Sequence, residues 1–201
     1  RKYGIWLPPS YDPTVPNPVI LAFHGGGGNS TMQEPVSELH RPEFNRRGYI
    51  AVYPESTEEY AGRMWEVSPA IALRGVDDMG YVAALLEHIK QELCVDETRI
   101  YATGMSQGGG MANMLACHPV LSTQIAAFAA VSGSYFYNGD PHCHPRDDIL
   151  PCKPGRKGIP IMAFHGAGDE TIRYGGGLAE KHYACTPALD YWAAEWARRN
   201  G

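Results

Sequence analysis

The five residues Gly104-Met105-Ser106-Gln107-Gly108 constrain this chain more than any other stretch. They match G-x-S-x-G, and the two flanks differ in kind. Arg99-Ile100-Tyr101-Ala102-Thr103 reads as a short buried strand, and residues 109–116 read as a helix. A serine on so sharp a strand-to-helix turn has its Oγ pushed into the open, with a helix N-terminus behind it to stabilise negative charge. Glycine belongs on both sides because a Cβ would clash in the turn. Serine alone is a weak nucleophile, so the motif acquires meaning only with a base, an acid and an oxyanion hole.

The alternation around Ser106 recurs along the chain. Residues 3–7, 19–23, 49–53 and 161–164 read as strands, with another inside 125–132. A helix is expected from Asp77 or Asp78 to about Leu93, with Val82, Leu85, Leu86 and Ile89 on one face, and a second over about 188–200. Short apolar strands alternating with helices predict the α/β class. The expected architecture is a mostly parallel sheet with helices on both faces, in a single domain over residues 1–201. In such sheets ligands bind at the carboxyl ends of the strands.

The remaining site candidates sit at those ends. His24-Gly25-Gly26-Gly27-Gly28 follows the strand at 19–23. One oxyanion donor is expected to be the backbone N–H of Gln107. The other is expected from Gly26 or Gly25, where no side chain blocks an approach to about 3 Å. No Lys-Ser or Lys-Thr pair follows these glycines, which argues against a phosphate cradle. His24 is expected to pack under the loop. Asp169 follows the strand at 161–164 and is the candidate acid, able to accept from the Nδ1–H of a histidine and fix its tautomer. Glu170 is the runner-up, and His165 is read as shaping the acid loop.

The base is the missing part. In the chain order Ser…Asp…His the histidine comes last. After Asp169 the only histidine is His182, which precedes the final helix instead of following a further strand. The base is therefore expected beyond Gly201. On that reading the chain lacks its last strand and histidine loop, and is trimmed at Arg1, where neither a methionine nor a signal peptide opens it. His142 and His144 read as surface loop residues. Trp65 and Tyr60 fall in loops that should flank the site and are candidates for stacking on an aromatic substrate. Tyr135 and Tyr137 share that placement. Asp77 and Asp78 read as helix caps with a possible part in the pocket, and Tyr191, Trp192 and Trp196 as core or interface.

Composition closes off other classes. The net charge is −5 with no basic patch, so nucleic acid is not an expected partner. No apolar run approaches the roughly 18 residues of a membrane helix. The five cysteines, Cys94, Cys117, Cys143, Cys152 and Cys185, fit no zinc spacing, and neither metal nor cofactor is expected. Cys143 and Cys152 lie in a Pro/Gly/His-rich loop at 142–155 that could use a staple. Disulfides in a secreted protein are the favoured reading, reduced structural thiols the other, and the odd count leaves at least one cysteine unpaired. Asn29-Ser30-Thr31 is the one glycosylation sequon.

Taken in order, several stretches resemble one family. They are Tyr3-Gly4-Ile5-Trp6-Leu7-Pro8-Pro9, Phe23-His24-Gly25-Gly26, Gly75-Val76-Asp77-Asp78-Met79-Gly80, residues 100–109 around Ser106, Phe164-His165-Gly166 with Asp169, and residues 192–201. Together they resemble secreted fungal feruloyl esterases of type C/D, related to the polyhydroxybutyrate depolymerase-like esterases of the α/β-hydrolase fold. The resemblance implies extracellular hydrolysis of ferulate or other hydroxycinnamate esters on plant cell-wall polysaccharide. It implies a Ser-His-Asp triad with Ser106 and Asp169 at the matching positions, disulfides and no cofactor. It also implies a histidine downstream of the 192–201 helix, on a further C-terminal segment. Acetylxylan or polyester substrates, a peptidase, and an inactive carbohydrate-binding remnant are the alternatives.

Overall fold

The computed structural model describes residues 1–43, 45–46, 48–57, 63–138, 143–179 and 184–201. Tyr60, His142 and His182 lie outside the described residues. In chain order the elements are β1 (Tyr3–Trp6), β2 (Asn17–Phe23), α1 (Ser30–Ser37), β3 (Ile50–Pro54), α2 (Pro69–Ala72) and α3 (Asp78–Glu92). They continue with β4 (Val95–Met105), α4 (Gln107–Cys117), α5 (Leu121–Gln124), β5 (Ala127–Val131) and β6 (Tyr137–Asn138). The last are β7 (Ile161–Phe164), β8 (Gly177–Ala179), β9 (Ala184–Thr186) and α6 (Leu189–Asn200).

Six strands form the central sheet in the order β1-β3-β2-β4-β5-β7. Only the β1–β3 pair is antiparallel; the other neighbours are parallel. This is the mostly parallel sheet of an α/β-hydrolase. Every expected strand forms. β4 starts at Val95, earlier than Arg99, because the polar run Asp96-Glu97-Thr98, exposed at its last two residues, carries no apolar signal.

Two apolar layers cover the sheet. On one face Val82, Leu86 and Ile89 of α3, Met111 and Leu115 of α4, and Trp192 and Trp196 of α6 meet Ile100 and Phe128 in one buried cluster. On the other face Ala22, Ala51 and Tyr53 form a smaller cluster with Trp6 and Leu39, on the side where α1 contacts β1, β2 and β3. That second face is uncovered at the opposite end of the sheet. There Met105, Val131 and Phe164 stand side by side in register, and Phe164 and Met162 are more than half exposed.

A second sheet, β6-β9-β8, is small and antiparallel. Strands of two or three residues leave no period to read, so no local pattern marks this sheet. Two disulfides tie this region down, Cys117–Cys152 and Cys143–Cys185. The 143–152 segment is thus stapled to α4 at one end and to β9 at the other, and not to itself. Cys94 is the free cysteine.

Candidate active site

The sheet order sets the site. β2, β4, β5 and β7 are consecutive neighbours, and all run parallel. The turns that follow them therefore stand side by side along one edge, which brings the glycine loop, Ser106 and the Asp169 loop together.

Ser106 has φ 55° and ψ −120°, a region that a side-chain-bearing residue avoids. Such a conformation costs about 1–3 kcal/mol and persists only when its surroundings over-determine it. Here they do. Its N–H donates to the Val131 carbonyl at 2.9 Å, and its carbonyl accepts from the N–H groups of Gly110 and Ser134 at 3.0 Å each. The flanking glycines are close-approach sites. A Cβ on Gly108 would lie 2.0 Å from the Phe23 carbonyl oxygen, and one on Gly104 2.4 Å from the Gly108 carbonyl carbon.

The glycine loop lies against the elbow. A Cβ on Gly25 would sit 3.5 Å from Ser106 Cβ, and one on Gly26 would sit 3.0 Å from the Gln107 carboxamide. Among the described residues, the N–H groups of Gly25, Gly26 and Gln107 have no hydrogen-bond acceptor. His24 is buried beneath them. Its Nδ1 is 2.7 Å from the Gly25 carbonyl, and its Nε2 accepts from the Ser56 N–H at 3.2 Å. Burial lowers its pKa, so the ring is neutral and holds the loop from below.

Trp65 corrects the sequence reading. It is fully buried and offers no ring face to a substrate. Its indole packs edge-on to Phe23 at 5.4 Å and lies 4.8 Å from the His24 ring. The indole N–H donates to the His24 carbonyl at 2.8 Å, and the Trp65 backbone N–H donates to Gln107 Oε1 at 3.1 Å. Tyr135 and Tyr137 are buried as well. Tyr135 stacks on Trp192 at 4.4 Å, and the Tyr137 hydroxyl donates to Asp148 at 2.7 Å.

Asp169 is held by its own loop. Its Oδ1 accepts from the N–H groups of Ile172 and Thr171, both at 2.9 Å. The Ile172 N–H is the main reason its pKa is lowered, and the carboxylate stays ionised near neutral pH. The His165 ring is buried, with Nε2 2.6 Å from the Ile172 carbonyl and 3.6 Å from Asp169 Oδ2. It braces the acid loop, as the sequence suggested. Glu170 is exposed, and His144 lies in the Cys143 loop.

An acid pair behind the site escaped the sequence reading. Asp77 caps α3 by accepting from the Gly80 N–H at 2.7 Å, but Asp78 turns inward and is fully buried. It accepts from the Arg1 guanidinium and, at 2.5 Å, from the Glu66 N–H. Glu66 in turn accepts from the Met79 N–H at 3.0 Å. Burial, and then the charge of Asp78, push the Glu66 carboxyl up to about 7. The Asp-Asp pair at a helix start was the available signal, and it points equally to two caps.

Comparison with known proteins completes this picture. Feruloyl esterase B of Piromyces equi is 29% identical over 205 residues, covering 100% of this chain and 36% of its own length. Feruloyl esterase C of Emericella nidulans is 27% identical over 181 residues, covering 89% of this chain and 58% of its own length. The chain thus spans less than two thirds of these relatives. Among solved structures, the native Est2 esterase of Thermogutta terrifontis superposes with a TM-score of 0.67 at 21% identity, over 99% of this chain and 73% of that one. The acetyl xylan esterase of Aspergillus awamori superposes with a TM-score of 0.61 at 22% identity, over 85% of this chain and 69% of that one. These share the fold. The family model described as Esterase PHB depolymerase matches residues 1–150, from the first strand through the elbow and well past it, and the chain belongs to that family.

Proposed function

We propose that this chain forms the serine- and acid-bearing part of a serine carboxylesterase acting on ferulate and related hydroxycinnamate esters of plant cell-wall polysaccharide. The observation that carries this reading is the elbow itself: a strained Ser106 with three backbone N–H groups beside it, on Gln107, Gly26 and Gly25, that have no acceptor among the described residues. Ser106 Oγ attacks the ester carbonyl. The N–H of Gln107 and that of Gly26 or Gly25 take up the tetrahedral oxygen. A histidine oriented by Asp169 accepts the serine proton and returns it to the leaving sugar alkoxide, and water then releases the acid. The sequence needs no cofactor.

Neither His24 nor His165 suits the role of base, since both rings are buried, backbone groups hold both nitrogens of His24, and the Ile172 carbonyl holds Nε2 of His165. The base is proposed to come from polypeptide outside these 201 residues. The uncovered row Met105, Val131 and Phe164 supports this, as does the position of β7 at the edge of the sheet. A further parallel strand beside β7 would deliver its own turn next to Asp169.

The names of the relatives support the substrate class. One further relative, a bifunctional acetylxylan esterase/xylanase of Neocallimastix patriciarum, is 24% identical over 177 residues and favours acetylated xylan as a second reading. Two disulfides support an oxidising, extracellular location. Asn29 is proposed to carry a glycan there. Its Oδ1 caps α1 by accepting from the Met32 N–H at 2.8 Å, which leaves the amide nitrogen for the sugar.

The test is Ser106→Ala in the full-length polypeptide, with methyl ferulate and acetylated xylan as substrates. Hydrolysis of both should vanish, and the parent's preference between them selects the reading. Undiminished turnover by the variant rules the mechanism out. A parent that binds xylan but leaves Ser106 unlabelled by a fluorophosphonate would be a binding remnant instead.

A further inference from the structure

We propose that Trp65 is a positioning residue that locks the two halves of the oxyanion hole into one rigid unit. The proposal rests on the esterase reading of Ser106.

The two donors come from different parts of the chain. Gln107 belongs to the elbow between β4 and α4, and Gly25 and Gly26 belong to the loop after β2. A tetrahedral oxygen is stabilised only if both N–H groups reach one point, so the distance between the two segments has to be fixed before substrate arrives. Trp65 contacts both. Its backbone N–H holds the Gln107 carboxamide at 3.1 Å, and its indole N–H holds the His24 carbonyl at 2.8 Å. The carboxamide is therefore trapped, with Trp65 on one side and the Gly26 backbone on the other. The indole also fills the space beside His24 and Phe23.

Trp65 is itself anchored at the next residue. The Glu66 N–H donates to the fully buried Asp78 at 2.5 Å, and the Trp65 carbonyl accepts from the Ser68 N–H at 3.1 Å. Two successive N–H groups thus fasten one segment to the elbow and to the N-terminus of α3. The chemistry asked of residue 65 is narrow: a flat ring to fill the gap, and a single donor with no acceptor beside it. Tryptophan alone supplies both. Because the side chain is fully buried, it acts without touching substrate.

The experiment compares parent, Trp65→Phe and Ser106→Ala in the full-length polypeptide. Trp65→Phe keeps a ring and loses the indole donor. Turnover of methyl ferulate should fall about a hundredfold, since a misplacement near 1 Å costs that much. KM should stay within about twofold, because uniform substrate binding is untouched. Affinity for an aryl boronic acid, whose adduct with Ser106 places an oxygen in the hole, should fall in step with kcat/KM. A Trp65→Phe enzyme with parental kcat overturns the proposal, and so does one whose loss lies in KM. If Trp65→Phe does not fold, Gln107→Met removes the acceptor for the Trp65 N–H while keeping the Gln107 N–H, and the same drop in kcat is expected. Parental kcat in that variant also overturns the proposal. Turnover surviving in Ser106→Ala would instead sink the esterase reading, so the two failures are distinct.

Discussion

The serine side and the acid side of this site are built in opposite ways. Ser106 is fixed by contacts that reach far along the chain. Val131 and Ser134 hold its backbone, Phe23 crowds Gly108, and Trp65 ties Gln107 to His24 from residues 42 and 41 positions away. Asp169 is fixed mainly by its own loop, through Gly166, Thr171 and Ile172, all within three residues, with one support from outside it, the Ser132 side chain after β5. It also stands beside the edge strand, below a sheet face left open at Phe164. A strained nucleophile needs support from several layers. An acid that only has to stay charged and aimed can be supported locally.

The contrast can be broken by substitution. The largest effect expected is on catalysis: Asp169→Asn in the full-length polypeptide should lower kcat about ten-thousandfold, through the wrong histidine tautomer. Its melting temperature should stay near the parent's. A large loss of stability instead would mean that the acid side is as deeply braced as the serine side.

Alanine at two glycines sharpens the same point. Gly108→Ala drives a Cβ to 2.0 Å from the Phe23 oxygen and should cost about 3 kcal/mol in urea unfolding. Gly168→Ala meets nothing within 4 Å and should stay within about 0.5 kcal/mol of the parent. Equal costs at the two sites would erase the distinction.

The third comparison concerns pH. Glu66 is raised from 4.5 to about 7 in the folded chain, so between those values the folded state holds a proton that the unfolded state has released. Stability from this group is present below pH 4.5 and is lost as pH rises through 7. Glu66→Gln should remove that fall, seen as the difference between the two melting-temperature profiles across the window. Taking the difference cancels His24, whose lowered pKa acts in the opposite direction. Parallel profiles would show that Glu66 titrates normally.

What the sequence disclosed follows the same division. Residues 161–164 form the expected strand, and Ser106, Gln107, Gly25 and Gly26 meet, because a turn motif and a glycine run are local signals. Trp65 reads as a stacking candidate because an aromatic residue in a loop looks alike whether it faces solvent or fills a gap, and its two acceptors are far away in sequence. Asp78 reads as a cap like its neighbour, since its guanidinium partner is 77 residues distant. Disulfide partners and strands of two or three residues follow from tertiary packing, and nothing within a short window encodes them.

The two disulfides have a consequence for durability. Cys117–Cys152 and Cys143–Cys185 both span the stretch between Cys143 and Cys152. A protease that cuts there separates a piece carrying Cys117 and Cys143 from one carrying Cys152 and Cys185, yet both crosslinks still join them. The nicked molecule would migrate as one species on a gel until a reductant is added. For a chain proposed to work outside the cell, a cut in that loop leaves the serine-bearing and acid-bearing pieces covalently joined.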